Sequence, residues 1–461
     1  MKDYRKYSYW LETCGDDLTP RPPLNGSVDV DVAILGAGFS GLWTAYHLLK
    51  REPNLRVALV EGEIAGFGAS GRNGGWCYAG FAIGPAEMTR RHGAAAARAT
   101  ALAMIGAVGD VERVCREEGI DADIVRSGAV EFARAPYQLP KVRGMAAEYA
   151  AVGLADRVPL LDAAEATAKL RVPGALAAVW TRDGLTVQPA KLARGLARAV
   201  ERRGGVIYEQ TRVTDYDGGD RPVLHTERGD VRARRAIVLA GEAYLSQLAK
   251  TRRHIAPVTS NIVVTESLPA AVWAKIGWDG RETVGGFGPT GAYIQRTIDG
   301  RIAFGPYRGR YPLLSQITDR LDHDEAVYAH AKRSALVWFP DIAGAKFTHQ
   351  WGGVLGVPRD HMPTMGFNRR TKVGMAFGYT GEGVGAANLS GRTLTDLITE
   401  TDSELTHLPM ATHTPQPWEP EPLRWLGVSY VRQSLYKLEE EAERTGAYPT
   451  RKTLAQRLFE R

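Results

Sequence analysis

Val30-Asp31-Val32-Ala33-Ile34-Leu35-Gly36-Ala37-Gly38-Phe39-Ser40-Gly41 opens the stretch that decides the fold, and Arg56-Val57-Ala58-Leu59-Val60-Glu61 closes it. The apolar run up to Leu35 reads as a buried parallel strand. Leu42, Ala45, Leu48 and Leu49 then keep helical spacing, and Val57 to Val60 reads as a second strand. A G-x-G-x-x-G loop therefore sits between strand and helix, with an acid 20 positions past Gly41. In such a βαβ unit Gly36 permits the turn, Gly38 lets the backbone approach a pyrophosphate and Gly41 lets the helix sit close to the sheet. The helix start, with Phe39 and Ser40, offers amides to phosphate. Glu61 is placed to accept hydrogen bonds from ribose hydroxyls.

A second small-residue stretch follows at once: Gly66-Phe67-Gly68-Ala69-Ser70-Gly71-Arg72-Asn73-Gly74-Gly75-Trp76. It is too permissive for a helix and packs too poorly for a strand. Beside a dinucleotide unit it predicts backbone running against a flat ligand. Much later, the strand Val373-Gly374-Met375-Ala376-Phe377 breaks into Gly378-Tyr379-Thr380-Gly381-Glu382-Gly383-Val384-Gly385. A helix through Asn388, Arg392, Leu394 and Leu397 follows, whose N-terminus suits a polarised, electron-accepting ring.

Between these landmarks the patterns alternate. Residues 85–120 read as one long Ala-rich helix ending near Gly119, and 124–135 as a hairpin. Helices are expected from Tyr137 to Ala150, after the capping pair Asp162 and Glu165, from Ala190 to Arg203 and around Asp322 to Val337. A meander through Val213, Val223 to Thr226 and Asp230 to Ala233 leads to the buried strand Arg235 to Ala240 and the turn at Gly241. Residues 255–310 alternate as strands, with turns at Pro289-Thr290-Gly291 and Asp299-Gly300. Residues 1–27 are an arm packed on the outside or a partly disordered leader, and the tail is helical from Gly427 to Thr445.

Bulk properties narrow the function classes. With 461 residues, 44% hydrophobic and 24% charged, the chain is an ordinary globular protein of two to three domains. The net charge of +6 is scattered, with no aromatic-interleaved basic stripe for nucleic acid. Cys14, Cys77 and Cys115 form neither a disulfide framework nor a metal spacing, which fits a reducing compartment. No secretory signal is read at the N-terminus, and the longest apolar run, the nucleotide helix, is too short to span a bilayer. A cytoplasmic protein without membrane, nucleic-acid or metal partners is expected.

In this order the pieces resemble the D-amino-acid oxidase superfamily of flavoproteins. The carriers are residues 31–61, Gly68 to Gly75, Val187-Gln188-Pro189-Ala190-Lys191-Leu192, Asp299 to Gly305 and Gly378 to Gly385. Ser8-Tyr9-Trp10 and the Ser-Gly-Arg-Asn-Gly-Gly run are similar to γ-glutamylputrescine oxidoreductase-type members. The resemblance implies an α/β fold: a Rossmann-like, glutathione-reductase-type FAD domain assembled from residues 28–90, 185–255 and 365–400. A substrate domain with an antiparallel or mixed sheet would come from 91–184 and 256–364, leaving 1–27 as arm and 401–461 as a partly helical extension. By the same resemblance FAD would contact Gly36, Gly38, Phe39, Ser40, Gly41, Glu61, Gly68, Ala69, Ser70, Arg72, Asn73, Gly74, Gly75, Val213, Ala240, Gly241, Gly381, Glu382, Gly383 and Val384. The second loop lacks the His through which several relatives attach flavin, since Glu382 stands there, so FAD is expected to be noncovalent.

The function implied is oxidation of a C–N bond in a small-molecule amine or amino acid, with O2 as acceptor. A flavin dehydrogenase with another acceptor, a nicotinamide dehydrogenase and a flavoprotein without amine-oxidising activity are the alternatives. Catalytic candidates are Arg296, Tyr293, Glu382 and Lys275, with His254 a further nominee for activating oxygen. Substrate candidates are Trp76, Gln295, Arg296, Tyr307, Trp351 and Tyr379. Strand alternation puts Ile294 and Arg296 on one face and Tyr293 and Gln295 on the other. If the first face is inward, Arg296 can fork onto a substrate carboxylate.

Overall fold

The computed structural model describes residues 2–287, 291–318, 324–448 and 453–459. Its first eight-stranded sheet is built around Val28–Leu35, which pairs in parallel with Val57–Val60 on one side and Gly229–Leu239 on the other. Val206–Tyr208 extends the sheet beyond Val57–Val60, and Val373–Phe377 pairs with the end of Gly229–Leu239. Parallel strands covered on both faces need apolar residues at every position, and Val57–Val60 is buried throughout. The first half of Gly229–Leu239 instead joins Val213–Asp217 and Val223–Thr226 in the expected meander. Segments separated by more than a hundred residues thus meet in one sheet, with strands that end beside both glycine loops.

Helix Phe39–Arg51 packs against this sheet, and Gly383–Ile398 packs against the helix in turn. A Cβ on Gly41 would lie 2.0 Å from the Gly36 carbonyl oxygen, so the helix approaches its own loop as closely as the motif implied. Their shared core takes in Leu42, Trp43, Leu389 and Leu394, together with Met104, Val108 and Val111 of helix Ala94–Glu118. The segment 94–118, expected on the substrate side, therefore shares its core with the nucleotide helix.

The second eight-stranded sheet runs in the order Phe347–Val357, Ala256–Thr265, Ile302–Pro306, Ala292–Arg296, Thr283–Gly286, Ala129–Ala133, Ala177–Thr181, Leu160–Asp162. It is antiparallel except where Thr283–Gly286 meets Ala129–Ala133 in parallel, the mixed sheet that was expected. Helix Glu325–Trp338 covers its far face, burying Tyr328, Ala331, Ala335 and Trp338 with Ile294 and Phe304.

Three local expectations change. The Ala-rich stretch is two helices, Pro85–His92 and Ala94–Glu118, because Gly93 adopts φ +86° and breaks the helix between them. Residues 124–135 are not a hairpin: Val125–Arg126 pairs with Gly184–Thr186, while Ala129–Ala133 joins the large sheet. Gly128, at φ +77°, redirects the chain between them. Helix Ala94–Glu118, rather than the nucleotide helix, is the longest apolar element, and by length and composition alone it could cross a membrane. Its residues Met104, Ala107, Val108, Val111 and Val114 are buried in the core.

The other elements follow the pattern. Asp162 and Glu165 form the reciprocal capping box, with bonds of 2.8 and 2.9 Å. The helix expected from Asp322 begins at Glu325 among the described residues, and Pro289, Thr290 and Asp322 lie outside them. The N-terminal arm is packed: Tyr4, Tyr9, Trp10 and Leu11 are buried. Trp10 Nε1 donates to the Asn73 carbonyl at 2.8 Å and Ser8 Oγ to that of Gly71 at 2.9 Å, so the arm braces the first glycine-rich loop. The tail returns as well, in helix Leu423–Thr445, with buried Arg424 donating to the Arg252 carbonyl at 2.9 Å.

Candidate functional site

Both glycine loops open onto one cavity of about 980 Å³, at the upper end of the range for cofactor and ligand sites. At one end lie Gly36, Gly38, Phe39, Ser40, Glu61 and Val213. The Glu61 carboxylate organises this end. Its Oε2 accepts from the Ala37 amide at 2.9 Å and its Oε1 from the Glu63 amide at 3.0 Å. A carboxylate has about four acceptor positions, so two are left toward the cavity. Burial outweighs these bonds and pushes Glu61 up to about 7. Ser70 Oγ accepts from the Phe39 amide at 2.8 Å and ties the nucleotide loop to the second glycine-rich stretch.

That stretch runs along the cavity wall. Gly68, Ala69, Ser70, Arg72, Asn73 and Gly74 all line it. Asn73 Nδ2 donates to the carbonyls of Ala69 and Ser70 at 3.0 Å, and its Oδ1 accepts from Gly75 at 2.8 Å, holding the turn from within. Arg72 is buried, stacks on Phe67 at 4.6 Å, and donates to the Gly352 carbonyl and the Tyr244 hydroxyl at 3.2 and 3.0 Å. The Tyr293 ring fills the space beside it: a Cβ on Gly74 would come 2.6 Å from Tyr293 Cδ2. The Tyr293 hydroxyl bonds Ser260 Oγ at 2.6 Å and donates to the Asn261 carbonyl at 3.1 Å, and burial pushes it up to about 12.

The second loop closes the cavity with Tyr379, Gly381, Glu382, Gly383 and Val384. Tyr379 is buried, its hydroxyl between Ser40 Oγ at 2.7 Å and Ser390 Oγ at 2.9 Å, so it ties the first turn of Phe39–Arg51 to the middle of Gly383–Ile398. Glu242 supports the loop from below, Oε1 accepting from the amides of Gly378 and Tyr379 at 3.0 and 3.3 Å. It holds an unusual φ of +46°, and burial pushes it up to about 7. The C-terminal helix contributes Leu423, Gly427, Val428 and Val431 to the remaining wall.

Residues 31–397 match the family described as FAD dependent oxidoreductase. The chain belongs to this family. Among curated FAD-dependent and related oxidoreductases it is 27% identical over 402 residues to gamma-glutamylputrescine oxidoreductase of Escherichia coli K12, covering 85% of this chain and 88% of that protein. It is 25% identical over 388 residues to glycine oxidase of Geobacillus kaustophilus, covering 80% and 92%. The crystal structure of that glycine oxidase superposes with a TM-score of 0.68 at 22% identity, over 84% of this chain and 99% of the other. L-amino acid deaminase from Proteus myxofaciens superposes with a TM-score of 0.68 at 15% identity, over 86% and 96%. These two superpositions speak to the fold alone.

The cavity fits the cofactor that the family name states. Glu61 retains acceptor positions for ribose hydroxyls, two helices aim their N-termini inward, and small residues leave the wall beside Ser70 to Gly74 without protruding side chains. Of the residues expected at this FAD-dependent oxidoreductase's site, Gly41 and Gly75 lie outside the cavity lining. Gly41 seats the helix on its loop. Gly75, at φ +73°, makes way for Gln295, whose Oε1 a Cβ there would meet at 2.0 Å. Ala240 and Gly241 line the cavity as expected.

Among the substrate and catalytic candidates, Trp76, Tyr293, Tyr307, Tyr379 and Glu382 reach the cavity and five others do not. Arg296 is on the wrong face. Ile294 on that face is buried in the core beneath helix Glu325–Trp338, while Arg296 stacks on Trp273 at 4.1 Å, donates to the Trp278 carbonyl and pairs with Asp279 at 3.8 Å. Gln295 points inward but is spent on packing under Gly75, its Nε2 donating to the Val187 carbonyl at 3.1 Å. Trp351 is buried, with Nε1 donating to the Arg72 carbonyl at 2.9 Å, and braces the loop. Lys275 is exposed on helix Ala270–Ile276, pairs with Asp341 at 3.7 Å and lies outside the cavity lining. His254 stacks on Phe377 at 6.4 Å outside the lining. Sequence reasoning missed Glu242 and Glu131, and only their acidity inside otherwise apolar surroundings could have flagged them.

Proposed function

We propose that this FAD-dependent oxidoreductase oxidises a C–N bond of an amine or amino acid, holding FAD noncovalently and passing electrons to O2. The observation that carries the reading is the continuity of the cavity. It joins the Glu61 cradle, the Ser70 to Gly74 wall and the chamber of Trp76, Tyr293, Tyr307 and Glu382 without a break. The relatives whose names state an activity, gamma-glutamylputrescine oxidoreductase and glycine oxidase, support the same chemistry. Ser8-Tyr9-Trp10 favours the first of these branches, with its tryptophan on the glycine loop.

FAD, when bound, supplies the two-electron acceptor. The substrate carbon loses a C–H bond and its nitrogen a proton, giving a C=N bond that water hydrolyses to a carbonyl compound and an amine or ammonia. The two electrons and two protons reach O2 as H2O2. This chain's part is to orient and to exclude water. Trp76, Tyr293 and Tyr307 wall the chamber, and a dry wall favours the unprotonated amine that oxidation requires. Noncovalent binding is supported by the cysteines: Cys77 is buried in the core, where burial pushes its thiol far up, and Cys14 and Cys115 are buried away from the lining.

The proposed division assigns 28–90, 185–255 and 365–400 to FAD and 91–184 and 256–364 to substrate, with helix Ala94–Glu118 packed on the FAD side, in a cytoplasmic enzyme. The test is a panel of amines and amino acids mixed anaerobically with the purified protein, then with air and peroxide detection. Bleaching of the flavin by an amine, followed by peroxide, is expected. A flavin that no member reduces would overturn the reading, and bleaching without peroxide would remove O2 as acceptor.

A further inference from the structure

The chamber end of the cavity is acidic, and among the described residues no arginine or lysine side chain pairs with its carboxylates. Glu382 lines the cavity from the N-cap position of Gly383–Ile398, yet its side chain makes no capping bond. Glu131 is the one residue of Ala129–Ala133 that is not fully buried. It stands beside Gly285 of the next strand, where an added Cβ would meet Trp76 Cη2 at 2.9 Å and Glu131 Cγ at 3.4 Å. The bare backbone at Gly285 thus lets Trp76 and Glu131 converge, with Trp76 on the cavity side. Tyr78 meets the Trp76 ring edge-on at 6.1 Å, and Tyr307 leans on Tyr293 at 5.9 Å.

Among the described residues neither the Glu131 nor the Glu382 carboxylate has a hydrogen-bond or ion-pair partner. Burial pushes Glu131 up to about 7, and burial reinforced by Glu131 pushes Glu382 up to about 8. Four of the five arginines of the lining are committed elsewhere, Arg432 to the Gly309 carbonyl among them, and the fifth, exposed Arg212, sits beside Val213 at the Glu61 end of the cavity. Arg72 is held by Gly352 and Tyr244, Arg359 pairs with Glu419, and Arg424 pairs with Glu421. Arg296, the residue that would have anchored a carboxylate, faces away. Two carboxylates in largely apolar surroundings favour a cation, and aromatic faces add to the attraction for an ammonium group.

We infer that Glu382, reinforced by Glu131 behind Trp76, makes this chamber selective for an amine that carries a second positive charge and no carboxylate near the reacting carbon. The inference rests on the C–N oxidation reading and narrows it from amines and amino acids in general to diamine-like substrates. Glu382 would face the extra ammonium, and Glu131 would act through the field at that end of the chamber.

The FAD-loaded protein is titrated anaerobically with diaminobutane, butylamine and γ-aminobutyrate, which differ in charge at constant chain length. Perturbation of the flavin absorbance reports binding, and bleaching reports oxidation. Diaminobutane should half-saturate at a concentration at least about tenfold below γ-aminobutyrate, with butylamine between, and E382Q and E131Q should each erase most of that preference. Equal affinities, a preference for γ-aminobutyrate, or no binding of any of the three would overturn the inference, as would glutamine variants that keep the wild-type ratio. The wild-type ranking stands even if a variant fails to fold. Diaminobutane that binds tightly without bleaching would sink the oxidation reading and leave the charge preference intact.

Discussion

Replacing Glu61 by alanine should do two separable things, because its carboxylate faces both the loop and the cavity. On the loop side it removes the acceptor for the Ala37 and Glu63 amides, at 2.9 and 3.0 Å. Each amide left without a partner costs about 1–3 kcal/mol if water cannot reach it. Glu61 is only half-buried, so the lower end applies, and a loss of about 2 kcal/mol in stability is expected for the pair. On the cavity side two charge-assisted bonds to ribose hydroxyls would go, each worth about 1.5–3 kcal/mol. Together they predict FAD affinity lower by at least about a hundredfold, since 1.4 kcal/mol is a factor of ten. Glu61→Gln keeps one acceptor oxygen and should fall between. The assay is titration of flavin-free protein with FAD, followed by quenching of flavin fluorescence, beside urea unfolding of the same preparations. A Glu61→Ala variant whose FAD affinity stays within threefold of wild type would refute the ribose assignment, whatever happens to stability.

Gly41→Ala should yield protein that is destabilised by at least about 1–3 kcal/mol and purifies without flavin, since the added methyl would press on the Gly36 carbonyl at 2.0 Å; full occupancy measured by absorbance would contradict the close helix approach. Arg296→Ala and Arg296→Lys should both leave kcat/KM near wild type, with at most about 1 kcal/mol of stability lost from the stack on Trp273; a tens-fold kinetic defect with normal flavin content would return Arg296 to the site. Glu242 ionises in the fold only near 7 against an ordinary 4.5, so between these values the folded protein holds more protons than the unfolded chain. Its contribution to stability therefore falls as pH rises through that window, by up to about 3 kcal/mol. Glu242→Gln should gain on wild type from pH 5 to pH 8 in urea unfolding, and a pH-independent difference would show that Glu242 does not titrate there.

The parts of this fold that were legible in the sequence are those whose signal is local. Strand, glycine loop, helix and acid fall within Asp31 to Glu61, so spacing alone specifies their geometry, and the Asp162–Glu165 cap is equally self-contained. The face of Ala292–Arg296 was not legible. Alternation separates Ile294 and Arg296 from Tyr293 and Gln295, but only the helix Glu325–Trp338 packed on the far side decides which pair is inward. The same limit hid the partners of Val125–Arg126 and Ala129–Ala133, which lie more than forty residues away in sequence. Glu242 and Glu131 carried no signal in the sequence, because burial is a property of the assembled sheets. Trp351 read as a substrate wall for the opposite reason: a buried indole with its N–H satisfied by Arg72 has no sequence signature that sets it apart from a contact.

Acid denaturation of the freshly purified protein tests the central claim most directly, that one FAD is held noncovalently in the cavity between the two glycine loops. The account predicts a yellow supernatant whose flavin is FAD by mass, at about one per chain, since both glycine loops open onto the same cavity. A colourless preparation that takes up no added FAD, or flavin that stays with the precipitated chain, would contradict it.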